Sequence, residues 1–427
     1  MLSCPVKLKN FINKPIKGTK SMKCRICQSS NLEKFLSLGE TPLANSFLKK
    51  EELDNKESRF PLEICLCNNC KLVQLSHVVP AEFMFKNYVY VSSTSNTFKL
   101  HFAEIAEYIS KEFKLNSDSL VVDIGSNDGI LLKPFKDFGV QVLGIEPAVH
   151  IANIARKNGI DTRAEFFSPE LAARIVKDKG KAKIVTGTNV FAHIDDLDKV
   201  ISGVKELLED DGVFITESPY LVDFIQKRYF DLVYHEHLSY WAVSPLITLF
   251  KRFDISVVDV QKVNVHGGSI QVFAMKNGKN IKIKKSVKEF LNLEKKMQLA
   301  NSDTYINFAK KVLENKMKLI SLLTKLRLSG KIIVGYGAPA KGNTLLNYFK
   351  IGPEIIDYIV DDSPFKQGLY TPGTHIPVVS PDKIFKDKPD YILILAWNFA
   401  DSIIKKLGDY KKGGGKFIIP VPRPYIV

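Results

Sequence analysis

The chain has 427 residues, 45% of them hydrophobic, and a formal net charge of +15. That length predicts roughly two or three domains, and no apolar run approaches the ~18 residues of a membrane helix, so no membrane-spanning helix is expected. The six cysteines are too sparse for a disulfide framework. The lysines are spread along the chain, so the charge excess is first a solvated surface. It leaves nucleic acid, acidic lipid or a phosphorylated small substrate as partners to be weighed.

Residues 1–23 carry six lysines and no acid. Without an apolar core or a small-residue cleavage site they do not read as a secretory signal, and the expected compartment is cytoplasmic. A mobile basic tail is expected, with Met22 a possible functional start. Cys24-Arg-Ile-Cys27 and Cys67-Asn-Asn-Cys70 form two Cys-x-x-Cys knuckles. Four thiolates close a tetrahedral shell with no open position, which predicts a structural zinc rather than a catalytic one. Cys65 alternates with Cys67 on an expected strand and is assigned to the core; Cys4 is left over. Between the knuckles lies a turn-rich loop, Leu38 to Asn45. Tyr88 to Ser95 is a polar-aromatic linker that can reach over a cofactor site. Phe98, Phe102, Ile105, Tyr108 and Ile109 then mark one helix face.

Leu120–Ile124 is a short apolar run suited to a buried parallel strand. Asp123, Gly125, Asn127 and Gly129 follow where the chain turns tightly and a ligand can approach the backbone. Glu146 ends the next strand, where a carboxylate can accept from two ribose hydroxyls. The three-glycine dinucleotide pattern is absent. Asp-x-Gly-x-Asn-x-Gly instead resembles motif I of class I S-adenosylmethionine methyltransferases. The α/β rhythm continues through Ile151–Asn158, the strand entering the loop at Thr188–His193, and Val213–Thr216. That loop, with Asn189 and His193, lies at the carboxyl end of a strand, where open sheets bind ligands. It lacks the Asn/Asp-Pro-Pro-aromatic motif of adenine methylation.

Tyr234-His-Glu-His-Leu-Ser-Tyr-Trp241 is the densest cluster of ionisable and aromatic residues. On an ideal strand Tyr234 and Glu236 face one way and His235 and His237 the other, so one ligand meets them all only if the segment bends. Imidazole is the natural base near neutral pH; a buried polar network is the competing explanation. Val265-His-Gly-Gly-Ser269 reads as a turn entering a strand. His266 and Ser269 either contact a ligand or serve a tight turn. Lys284–Leu328 reads as two long helices, with Phe308, Val312, Leu319, Leu323 and Leu326 on one face and Lys316 interrupting it. From Lys331 a second strand, glycine turn and helix begins. Amides of the Gly337–Asn343 turn, with Lys341 beside them, suit phosphate oxygens.

In this order the knuckles, the cofactor motif, Tyr-His-Glu-His, His-Gly-Gly-Ser and Gly-Tyr-Gly-Ala-Pro-Ala-Lys-Gly resemble the deoxysugar C-methyltransferase family, from Met22 to the C-terminus. The resemblance implies an α/β fold: a class I methyltransferase Rossmann-like core, an N-terminal zinc-binding domain and a C-terminal Rossmann-like domain. The boundaries expected are 1–22 for the basic extension, 23–85 for the zinc-binding domain and 86–283 for the methyltransferase domain. A helical connector over 284–329 and a nucleotide-sugar-binding domain over 330–427 complete the chain. It further implies S-adenosylmethionine as cofactor and methylation at C-3 of a nucleotide-linked 4-keto-deoxysugar, with neither nucleic acid nor membrane as partner. The sequence is compatible with a monomer and leaves the oligomeric state open. By resemblance His237 is the base, Glu236 and Tyr234 orient it or stabilise an enolate, and His193 and Tyr88 line the sugar site, His193 being the rival base. His266, Gly267, Ser269, Gly337, Ala338, Lys341 and Asn343 are the expected substrate contacts. Gln271 stands where the family often has Arg. The rival from another class is a zinc-ribbon RNA or DNA methyltransferase; a non-catalytic scaffold is the third.

Overall fold

The computed structural model describes residues 22–80, 84, 92–94, 96–265, 267–278 and 281–427. Tyr88, His266 and all but the last residue of the basic extension lie outside them. The chain forms two compact units, each assembled from separated segments. One holds Val79–Asp223 and Leu238–Met297; the other holds the N-terminal residues to Val78, Phe224–His237 and Gln298–Val427. These compact units group segments by contact and cut across the contiguous boundaries expected from sequence. The Tyr234–His237 segment belongs with the zinc-binding and C-terminal parts, and the connector is divided between the units.

In the unit carrying the knuckles, β1 (Leu32–Thr41), β2 (Phe60–Cys67) and β3 (Val73–Leu75) pair antiparallel. β1 and β2 pair from Leu32 opposite Cys67 to Thr41 opposite Phe60, with register shifts between Lys34 and Leu36 and between Ser37 and Glu40. Phe35 of β1 stacks at 4.8 Å on Tyr305.

The other unit begins with α1 (Asn96–Glu112), whose Phe98, Phe102, Ile105 and Ile109 are buried as their spacing predicts. Strands β4 (Leu120–Ile124), β5 (Gln141–Ile145), β6 (Thr162–Arg163), β7 (Ala182–Thr188) and β8 (Leu208–Pro219) alternate with helices. Those are α2 (Leu132–Asp137), α3 (Val149–Lys157), α4 (Pro169–Lys179) and α5 (Leu197–Leu207). α6 (Leu221–Gln226) runs on past the end of this segment. A two-residue β9 (Ser239–Tyr240) lies outside the main sheet, and α7 (Val243–Lys251), β10 (Ile255–Val263), β11 (Ser269–Lys276) and α8 (Lys285–Lys296) follow. The sheet order is β10-β11-β8-β7-β4-β5-β6. Only β11 runs antiparallel to its neighbours. Val121, Ile184, Val213 and Ile215 form the sheet's share of the core under α1. With both faces covered by helices, the strands read as apolar runs rather than alternations.

The remaining segments complete the first unit. α9 (Ser302–Leu328) is 27 residues long. Its Phe308, Val312, Leu319 and Leu323 are buried, Leu326 is half-buried, and Lys316 donates to the Tyr348 carbonyl. After it come β12 (Ile333–Tyr336), α10 (Ala340–Phe349), β13 (Ile359–Val360), β14 (Val378–Val379), α11 (Asp382–Asp387) and β15 (Tyr391–Ile394). α12 (Ala400–Lys406), α13 (Gly408–Lys412), β16 (Lys416–Ile419) and β17 (Tyr425–Ile426) close the chain. These strands make one sheet ordered β14-β13-β12-β15-β16-β17, parallel except for β17. No helix among the described residues is long and apolar enough to cross a membrane.

Candidate functional site

The four knuckle cysteines converge, their sulfurs all within 4.8 Å of one another. Cys24 lies 3.3 Å from Cys70, and Cys27 lies 3.5 Å from Cys67. Zinc–thiolate bonds of ~2.3 Å in a tetrahedron need sulfur separations of about 3.8 Å, so the set fits zinc after a small expansion. Both knuckles share one backbone device. The residue after the second cysteine, Gln28 or Lys71, is left-handed, at φ 57° and 63°. The amides of Gln28 and Lys71 donate to the carbonyls of Cys24 and Cys67. A hydrogen bond with Cys70 holds the Cys24 thiol down at about 5, so one ligand is primed as thiolate. Cys65 is outside the cluster, and burial pushes its thiol up to about 12, as a core cysteine requires.

In the other unit, the β4–α2 turn meets the end of β5. Glu146 is buried, and its two carboxylate oxygens accept from the amides of Asn127 (3.1 Å) and Ala148 (2.8 Å). That fixes the carboxylate's orientation at the strand end, while burial raises its pKa. Asp123 accepts from the Thr186 hydroxyl at 2.6 Å, and burial pushes it up to about 7 against that bond. Gly125 takes the tight-turn conformation expected of it. At φ +70° an added Cβ would overlap the Val190 side chain, so that room is already filled by protein. Gly129, in the same conformation at φ +82°, has no room for a Cβ beside Ile160. Asn127 is also left-handed, at φ 49°, and its side-chain oxygen accepts from the Ser92 amide at 2.9 Å. Ser92, shortly before α1, is thus joined to this turn; Tyr88 lies outside the described residues.

Among the described residues, Ser126 Oγ and both oxygens of Asp128 are buried here without a hydrogen-bond partner. Such orphaned groups in a glycine turn match a polar ligand that brings its own donors and acceptors. The residues therefore fit S-adenosylmethionine, with Glu146 facing ribose hydroxyls and Asp128 available to an ammonium group. Sequence reasoning passed over Asp128, although it lies inside the motif.

A second cluster was also missed. Glu217, wholly buried near the end of β8, receives His101 Nε2 at 2.9 Å, Gln271 Nε2 at 2.8 Å and Asn189 Nδ2 at 3.3 Å. The left-handed Asn189, at φ 57°, also donates its amide to the Glu217 carbonyl at 2.8 Å. Gln271 therefore spends its amide on Glu217. An arginine at this position, as the family resemblance leads one to expect, would set a charge beside the Glu217 carboxylate. The one signal in sequence was that departure; its partner lies 54 positions away.

Half-buried His193 ends a short helical turn after Asn189, and burial pushes its imidazole down to about 4. Ser269 donates to the Val265 carbonyl at 3.2 Å and is fully buried, so its hydroxyl serves the turn. Gly267 and Gly268 build that turn; a Cβ on Gly268 would lie 2.5 Å from the Asp223 carboxyl carbon.

The Tyr234–His237 segment is a turn, closed by the His237 amide on the Tyr234 carbonyl at 2.9 Å. The bend that sequence required is present. Tyr234 Oη meets His237 Nε2 at 2.7 Å, and His237 Nδ1 meets the Leu232 carbonyl at 2.8 Å. A carbonyl can only accept, so Nδ1 carries the proton and Nε2 presents its lone pair to the tyrosine hydroxyl. Glu236 is buried, accepts from Asn45 Nδ2 at 2.6 Å, and is pushed up to about 7 by burial. His235 turns away to the Phe60 carbonyl at 3.3 Å, and burial pushes it down to about 4, as a structural histidine.

The C-terminal glycine turn departs from expectation. Gly337 donates its amide to Val360 and Ala338 to Asp361, at 2.7 and 2.6 Å, so both donors expected for phosphate are engaged. Asn343 is fully buried and donates to the Ala44 carbonyl at 2.7 Å. Lys341 donates to Asn398 and lies 3.9 Å from the Trp397 ring centroid. Trp397 in turn donates to buried Asp231 at 2.5 Å. Burial pushes Lys341 down to about 8 and Asp231 up to about 6, and each charge opposes the other's shift. The Gly337 and Ala338 amides and the Lys341 ammonium are thus engaged within this domain, and the phosphate role expected of the Gly337–Asn343 turn is a proposal for the remaining helix-start amides.

Sheet order, glycine turn and acid define a class I S-adenosylmethionine-dependent methyltransferase joined to a four-cysteine zinc-binding domain. Family models agree with each part: a zinc binding domain matches residues 24–85, a methyltransferase domain 98–260, and a C-methyltransferase C-terminal domain 264–422. The C-methyltransferase NovU of Streptomyces niveus is 36% identical over 404 residues, covering 95% of this chain and 96% of that one. The chain belongs to this C-methyltransferase family. A ubiquinone biosynthesis O-methyltransferase of Pelagibacter ubique is 25% identical over 224 residues, covering 49% of this chain and 84% of that one. A solved methyltransferase from Anabaena variabilis aligns at a TM-score of 0.35 and 17% identity, over 46% of this chain and 91% of that one.

Proposed function

We propose that this C-methyltransferase adds a methyl group at C-3 of a nucleotide-linked 4-keto-deoxysugar, with His237 as the base. The supporting observation is the tautomer of His237, whose Nδ1 is tied to the Leu232 carbonyl and whose Nε2 faces Tyr234. A C–H beside a ketone is acidic enough to be taken by an imidazole when the resulting enolate is stabilised. S-adenosylmethionine, when bound, would supply an electrophilic methyl group, which the C-3 carbanion would take by displacement as the sulfonium S–CH3 bond breaks and S-adenosylhomocysteine leaves. His237 Nε2 accepts the C-3 proton. Tyr234 gives up its hydrogen bond to that nitrogen and turns its hydroxyl to the developing enolate oxygen. Glu236, a carboxyl poised near neutrality at about 7, binds a sugar hydroxyl or the protonated imidazole. His193, held down at about 4, is neutral but a weak base, which favours His237 over it. The zinc site, closed by four cysteines, plays no part in the step.

Mass spectrometry tests this with the purified chain, S-adenosylmethionine and a panel of nucleoside-diphosphate 4-keto-6-deoxyhexoses, run in deuterated water beside His237→Ala. The expected result is one added methyl group and exchange of the C-3 hydrogen that is lost in the variant. Exchange surviving in His237→Ala moves the base to His193. Methyl transfer to RNA, with no sugar methylated, sinks the reading in favour of a nucleic-acid methyltransferase.

A further inference from the structure

We propose that Asn45, carried by the zinc-binding domain, is a positioning residue of the reaction, holding the Glu236 carboxylate in place and favouring its ionised form. This rests on the reading of Tyr234–His237 as the sugar site. The stretch from Leu38 to Asn45 reads from sequence as a turn-rich loop between two knuckles; in the structure β1 extends through Thr41, and the loop begins after it. The last residue of that stretch, Asn45, donates to Glu236 Oε1 at 2.6 Å, across 191 positions of sequence.

The loop is held firmly enough for the task. The Ala44 carbonyl accepts from Asn343, and Leu48 and Tyr370 exchange both backbone hydrogen bonds, at 2.9 and 2.8 Å. Pro42 packs where a Cβ on Gly373 would stand, 2.8 Å from its ring. On the other side, β1 starts opposite the zinc ligand Cys67 and runs ten residues to Thr41. At ~3.3 Å per residue that is a strut of about 30 Å. Its partner β2 begins at Phe60, whose carbonyl receives His235. The metal site thus fixes one end of a ribbon whose other end meets the Tyr-His-Glu-His turn twice.

Asn45 is itself exposed while Glu236 is buried. One amide hydrogen is committed to the carboxylate; the rest of the side chain stays open to solvent. Burial and the Asn45 hydrogen bond act on Glu236 in opposite senses. The flanking imidazoles are engaged elsewhere, His235 on Phe60 and His237 on Leu232 and Tyr234, and His77 stacks on Phe60. A hydrogen bond given to a carboxylate stabilises its charged form, so removing it must raise the carboxyl's pKa.

The test is carbon-13 NMR of glutamate carboxyls in the full zinc-loaded chain, with Glu236 assigned by Glu236→Gln. It needs no substrate. In Asn45→Ala the Glu236 midpoint should rise by about one pH unit. In Asn45→Asp, which keeps the shape but adds a like charge, it should rise further. Zinc content should stay at the parent value in both. Turnover on the methylated nucleoside-diphosphate sugar should fall about fivefold at pH 7 in Asn45→Ala and return to the parent value by about pH 9. A loss that merely reflected poorer folding would not be restored by raising pH. An unmoved Glu236 midpoint in both variants overturns the proposal. A shifted midpoint with parent turnover in Glu236→Gln instead overturns the reading of the sugar site.

Discussion

Replacing Lys341 by Met separates a lysine that holds the fold from one that holds phosphate. In the structure the Lys341 ammonium is spent on Asn398, the Trp397 ring and the charge of Asp231. Asp231 has no exposed surface, and its Oδ1 has no hydrogen-bond partner among the described residues. The two charges make no direct salt bridge, so the cost lies below the ~3–5 kcal/mol of a broken buried ion pair. Lys341 is also only half-buried, so about 1–2 kcal/mol is expected. For a unit of this size that lowers the melting temperature by roughly 2–8 °C. The loss should depend on pH. Without the ammonium, the Asp231 carboxyl, already up to about 6, rises further. A carboxyl whose folded pKa lies above its unfolded one is a burden that grows as pH rises between the two. Lys341→Met should therefore melt closer to the parent at pH 5 than at pH 8. Adding Asp231→Asn, which keeps an acceptor for Trp397, should recover most of the loss at pH 8. Calorimetry at the two pH values is the assay. A variant that melts like the parent at both, while its KM for the nucleotide sugar rises tenfold, would refute the buried-pair reasoning and restore the phosphate role.

Three further outcomes are expected. Elemental analysis should find one zinc per chain, and Cys67→Ser should lose it and expose β1 and β2 to hydrogen exchange. Asp123, wholly buried and pushed up to about 7, should drain stability as pH rises from about 4 to about 7. Asp123→Asn should therefore raise the urea midpoint at pH 8 and raise it clearly less at pH 5, the gain being of order 4 kcal/mol at most; an equal effect at both would refute the assignment. Glu217→Ala removes the acceptor of His101, Asn189 and Gln271. Calorimetric titration should show S-adenosylmethionine binding weakened about tenfold, and unchanged affinity would make the cluster purely structural.

Local patterns carried much of this architecture. Leu120–Ile124, the glycine turn and Glu146 lie within one supersecondary unit, so strand, turn and acid could be read from adjacent residues. The two knuckles were legible because thiolate chemistry leaves few other uses for that spacing. What escaped was set by long-range packing. Period-two logic puts Tyr234 and His237 on opposite faces, and it fails because the segment is a closed turn. Lys341 looked like a phosphate ligand because helix-start chemistry is local, whereas Asp231, which claims its charge, lies far back in the chain. Asn45 and Glu217 carried no local signal beyond a turn and a strand end; their partners are 191 positions away for Asn45 and up to 116 for Glu217.

The hydrogen bond from Asn343 to the Ala44 carbonyl joins residues 299 positions apart. At ~5–20 residues per second of synthesis, the acceptor is made roughly 15–60 s before its donor. For that interval the ribbon of β1 and β2 exists without the helix that will cover its loop. Cys24, Cys27, Cys67 and Cys70 are all available early, so metal capture can set the ribbon long before the last third of the chain is made. Zinc present during translation therefore has a complete ligand set to bind while most of its own unit has still to be made.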